Sequence, residues 1–129
     1  MPPDTIVVFT NQRQIPWLRW LQPGFRHCFV VIADDAGEWV ACDWLMGRLA
    51  FHVYGPQDPD DLIARFVTDG HRVVALRRPR RSGRGRGWVR PMSCVEVVKQ
   101  AVGLSGIRPV TPFGLWTALA RCGGVPHGV

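Results

Sequence analysis

The sequence predicts an α+β domain in which a small antiparallel sheet is flanked by helices. Three observations predict it: short β-branched runs separated by turn residues, a hairpin signal at Asp34-Asp35-Ala36-Gly37, and later segments that join capping residues to apolar residues at helical spacing. At 129 residues the chain has the length of one domain, able to bury a core without disulfides or metals. Hydrophobic residues make up 47% and charged residues 20%, a globular composition rather than a disordered or fibrous one.

Thr5–Thr10 (TIVVFT) is an apolar, β-branched run that suits a buried strand. Ile15-Pro16-Trp17-Leu18-Arg19-Trp20-Leu21 follows with large apolar groups at helical spacing, stopped by Pro23-Gly24, and predicts a short helix or helical turn. His27–Ala33 and Glu38–Trp44 form the hairpin, because the Asp and Gly residues between them favour a tight turn. Residues 48–54 alternate as a third antiparallel strand.

Asp58-Pro59-Asp60-Asp61 reads as a cap, a first-turn proline and acids suited to the helix dipole, opening a helix that ends near Gly70. Arg72–Leu76 is a further strand. It runs into a flexible Arg/Gly-rich loop at 77–90 with no periodicity. Ser93 and Glu96 have capping-box spacing, and Val95, Val98, Ala101 and Val102 make an apolar stripe, so a helix is expected from about Cys94 to Val102. Thr111-Pro112 starts a last helix, with Leu115, Trp116 and Leu119 on one face and Gly123-Gly124 as its stop.

The formal charge of +6 is concentrated in the loop. Arg77, Arg78, Arg80, Arg81, Arg84, Arg86 and Arg90 supply seven positive charges, and the rest of the chain carries −1. No apolar run approaches the length of a membrane span. Pro2, Pro3 and Asp4 stand where an export signal needs basic and then apolar residues, so the reading is a chain without such a signal, and its cysteines are expected to be reduced thiols. Without CxxC or HxxxH spacing, no metal or other cofactor is expected.

The capping box makes Ser93 the N-cap and Cys94 the first residue of its helix. There the free amides and the positive end of the dipole favour thiolate over thiol. A nucleophilic cysteine needs a base, and among His27, His52, His71 and His127 the strongest candidate is His27, which begins a strand straight after Pro23-Gly24 and at a sheet edge. If the turn centres near Asp35–Gly37, paired hairpin residues sum to about 71 or 72; in the even register Asp43 shares the His27 face diagonally and can orient its ring. A one-residue slip reverses this. Cys28, on the opposite face from His27, reads with Cys42 as a small core residue, and Cys122 belongs to the last helix.

Gly24-Phe25-Arg26-His27-Cys28-Phe29-Val30-Val31-Ile32, a strand ending in Asp43, Ser93-Cys94-Val95-Glu96-Val97-Val98 and Thr111-Pro112-Phe113-Gly114-Leu115 together resemble a permuted papain-like fold. In ordinary NlpC-type peptidases the cysteine helix precedes the histidine strands; in permuted relatives, lecithin retinol acyltransferase-like proteins among them, the order is reversed as here. Small phage and prophage proteins share this layout, which spans roughly residues 5–120. The resemblance implies a cysteine peptidase or related thiol hydrolase with Cys94 as nucleophile, His27 as base and Asp43 as third residue. It implies a peptide or cell-wall substrate, phage virion proteins as partners, and a cytoplasmic or virion-associated location. The Asn-Cys-Glu-His signature of the acyltransferases is absent, which favours amide hydrolysis over lipid acyl transfer.

Other readings stay open on sequence grounds. Cysteine at a helix start also suits a buried core position, and His27 and Asp43 also suit a strand edge and a turn. The basic loop has a reading of its own, as a nucleic-acid or anionic-partner site in a catalytically inactive virion structural protein. Arg77, Arg78, Arg80, Arg81, Arg84 and Arg86 would hold phosphates while Trp88 stacks on a base. The same composition suits a solvated loop.

Overall fold

A computed structural model describes residues 2–10, 27–45, 48–77, 98–99, 111–121 and 123–128. Their architecture is α+β: one antiparallel sheet of six strands, with helices on both of its faces. The strands are β1 (Thr5–Thr10), β2 (His27–Ala33), β3 (Glu38–Leu45), β4 (Arg48–Pro56), β5 (Arg72–Leu76) and β6 (Val125–His127), in the spatial order β4-β3-β2-β1-β5-β6. The helices are α1 (Pro59–Thr68) and α2 (Pro112–Arg121). None is long and apolar enough to cross a membrane.

The turn between β2 and β3 sets the frame for everything at that end of the sheet. The Asp34 carboxylate accepts from the Ala36 and Glu38 amides at 2.9 and 3.0 Å, and Gly37 takes a φ of 81°, in the left-handed region. The Asp34 amide donates to the Glu38 carbonyl at 2.9 Å, closing a three-residue loop centred on Ala36. Val30 then faces Cys42, and Val31 faces Ala41, which is the even register.

Alternation along the strands divides the core in two. Ile6, Val8, Val31, Ala41 and Val73 face α1, whose Leu62, Ile63 and Phe66 are buried against them. Val7, Phe9, Cys28, Val30 and Val74 face the other way, onto Leu115 and Leu119 of α2 and onto Val98. The Phe9 and Trp116 rings meet edge to face there, with centroids 5.4 Å apart.

Both helices start where their caps dictate. The Asp58 carboxylate accepts from the Asp60 amide at 2.8 Å with Pro59 just inside the helix, and Thr111 Oγ1 accepts from the Gly114 amide at 3.2 Å. Asp58→Ala is expected to cost about 1 kcal/mol, read as a lower urea midpoint with an unchanged slope. At the far end of α2 the Gly124 amide donates to the Leu119 carbonyl at 2.9 Å, and a Cβ on Gly124 would meet Val74 Cγ1 at 2.5 Å. Only glycine lets the chain turn so close to the sheet.

One expectation needs correction. β2 is an interior strand between β1 and β3, so His27 is at the end of a strand rather than at a sheet edge. Of the other histidines, His71 precedes β5, and His127 belongs to β6, which pairs with β5 through Val73↔His127 and Ala75↔Val125; a short edge strand tolerates the Gly and Pro residues around it. The predicted segment around Trp17 and Trp20 lies outside the described residues, as does Cys122.

Candidate active site

His27 and Asp43 come together at the end of the sheet where β2 begins. Val8↔Phe29 and Thr10↔His27 place His27 on the α1 side, and the three-residue turn places Asp43 on that side too, one position diagonal to His27. His27 Nε2 lies 2.6 Å from Asp43 Oδ1. Because a carboxylate only accepts, Nε2 is the donor in this contact. The side chain of His27 is 5% exposed and that of Asp43 23%, so the pair is shielded on the imidazole side and reached by solvent on the carboxylate side.

This arrangement does one chemical thing well. A carboxylate that holds Nε2–H fixes the tautomer and the ring plane, and it stabilises the imidazolium that forms when Nδ1 takes a proton. That is how a base is oriented for a thiol or hydroxyl nucleophile. Phe29 lies beside the pair on the same face and packs edge to face on Phe66, with ring centroids 5.8 Å apart, so a rigid apolar wall adjoins the imidazole.

The remaining cysteines and histidines divide by position. Cys28 is buried on the opposite face, as alternation requires, and neither it nor Cys42 forms a disulfide. Cys42 pairs with Val30, diagonal to Cys28, and its thiol pKa is pushed up, first by burial and then by the neighbouring Asp43 carboxylate. A raised thiol pKa is the opposite of what an activated nucleophile needs, so Cys42 does not suit that role. His52 is exposed on β4, opposite Ala41. Among the described residues no three His, Cys, Asp or Glu side chains converge as metal ligands would.

Cys94 lies outside the described residues, as do Arg78, Arg80, Arg81, Arg84, Arg86, Arg90 and Trp88. Arg77, the first of the basic run, donates from its guanidinium to the Pro2 carbonyl at 3.1 Å. Val98 and Lys99 are helical and buried, and Val98 packs with Cys28, Val30 and Leu115. Burial of Val98 follows from the apolar stripe, whereas burial of Lys99 had no signal in the sequence. The exposure of Leu49, Phe51 and Val53 was equally hidden, since their alternation reads as a half-buried strand.

Compared with known protein families, curated proteins and solved structures, the chain matches none.

Proposed function

We propose that the chain is a thiol hydrolase that cleaves an amide or peptide bond, on a permuted papain-like arrangement of strands and helices. Cys94 is the nucleophile, His27 the base and Asp43 the residue that orients it. The observation that carries the reading is the 2.6 Å pairing of His27 with Asp43. A shielded ionisable pair gives a fold little net stability compared with well-packed apolar residues, so its presence at a strand end asks for a chemical reason.

The steps of this reading are those of a cysteine–histidine pair. The His27 ring accepts the Cys94 proton, and the thiolate attacks the carbonyl carbon, forming a C–S bond and a tetrahedral oxyanion. The His27 imidazolium, neutralised in part by Asp43, returns that proton to the leaving amine as the C–N bond breaks. Water activated by the same imidazole then hydrolyses the thioester and restores the thiol. A cysteine at the first position of a helix adds its own amide to oxyanion stabilisation.

Val98 packs on the Cys28 side of the sheet, whereas His27 faces α1, so the reading requires a nucleophile that approaches His27 from the end of the sheet where β2 starts.

The substrate class that suits this reading is a peptide, with cell-wall peptides first among those to try. Incubation of the purified chain with a panel of amides and muropeptides is expected to release product. Cys94→Ala is expected to abolish release while leaving the circular dichroism spectrum unchanged. Turnover that survives in Cys94→Ala excludes the assignment.

A further inference from the structure

Among the described residues, β4 is the terminal strand of the sheet. Its nine residues, RLAFHVYGP, are exposed over the first six positions, and the order β4-β3-β2-β1-β5-β6 of the described strands places none beyond it. Terminal strands usually carry lysines, prolines or bulges that discourage pairing with another chain. Here the segment Arg48–Val53 pairs regularly with β3, the register shift comes only beyond Val53, and Arg48 is its one residue of fixed charge.

The side chains of β4 add a second observation. Leu49, Phe51 and Val53 project on the face opposite α1 and are 46%, 63% and 76% exposed. They continue onto Cys42 and Trp44 of β3, which are only partly buried, so an apolar stripe runs along this margin of the sheet. Isolated exposed apolar residues are ordinary, but three in succession on one face of an unpaired edge are not.

We propose that β4 pairs antiparallel with β4 of a second copy, about a twofold axis through Phe51. The strand is complementary to itself about that point: Leu49 of one copy lies opposite Val53 of the other, Phe51 opposite Phe51, and Ala50 opposite His52. Paired residues share a face only when their numbers sum to an even value, and this register satisfies that condition. It also matches charge. Arg48 of one copy falls opposite Tyr54 of the other, and the two Arg48 side chains stand roughly 20 Å apart, beyond the screening length at physiological salt. A chain of net charge +6 can therefore meet itself at this edge without opposing like charges. The pairing engages the seven residues Arg48–Tyr54 of each copy, against the roughly 20–30 of a standard interface, so the dimer is weak and depends on concentration.

Sedimentation velocity on the full chain, over roughly a hundredfold range of concentration, tests this. The wild type is expected to pass from monomer towards dimer. Phe51→Lys is expected to raise the dissociation constant at least about tenfold without lowering the melting temperature, because the side chain is mostly exposed in the monomer. Mild oxidation of Phe51→Cys is expected to give a 51–51 disulfide, located by peptide mapping. Monomer at every concentration, a dimer untouched by Phe51→Lys, or a cross-link from Val53→Cys and none from Phe51→Cys overturns the proposal.

Discussion

His27→Ala is expected to lower turnover on a cleavable amide by roughly 10²–10⁴-fold, the range general acid–base groups contribute. The ring is the only member of the pair that can carry the proton between thiol and leaving group, so its loss removes base and acid together. His27→Gln keeps much of the volume and a hydrogen bond to Asp43 but cannot shuttle a proton; it is expected to be as inactive as the alanine variant while melting closer to wild type. Asp43→Asn is expected to cost less than either. Its amide still occupies the 2.6 Å site but supplies no negative charge to the imidazolium. Turnover on that substrate with each variant, alongside a melting curve, separates loss of chemistry from loss of fold.

The largest stability effect is expected from Phe9→Ala. Phe9 is fully buried, lies among Val7, Cys28, Val74, Val98 and Leu115, and holds Trp116 edge to face. Removing the ring forfeits its transfer energy and leaves a cavity in the layer that joins β1 to α2, at a cost of about 3–5 kcal/mol. Against a typical domain stability of about 5–15 kcal/mol, that brings the chain near unfolding, and the urea midpoint is the measurement. An effect below about 1 kcal/mol contradicts the packing described for this face.

Much of the sheet is legible in the sequence because its signals are local. TIVVFT and RVVAL are bounded by turn residues, and the strands start and stop where those residues dictate. The Asp58-Pro59 cap starts α1 for reasons contained in four residues. β6 was not legible, since three residues around Pro126 have no β pattern and are held by pairing with β5. The site stands between these cases. Strand assignment alone offers two registers for the hairpin, and only the three-residue loop, with Gly37 in the left-handed region, places Asp43 on the face of His27. A two-residue turn would have sent that carboxylate to the opposite face. The exposed stripe on β4 shows the limit of periodicity: alternation says which residues share a face, but what covers that face is decided by helices distant in sequence.

Activation of Cys94 by His27 is read most directly in the alkylation rate of each cysteine by iodoacetamide at mildly acidic pH, followed by peptide mass spectrometry. Cys28 is buried, and the Cys42 thiol is held protonated by burial and by Asp43, so neither competes under those conditions. Cys94 is expected to be modified far faster than Cys28 or Cys42, and His27→Ala to remove the difference. Cys94 reacting no faster than Cys42, or equally fast with and without His27, contradicts that activation.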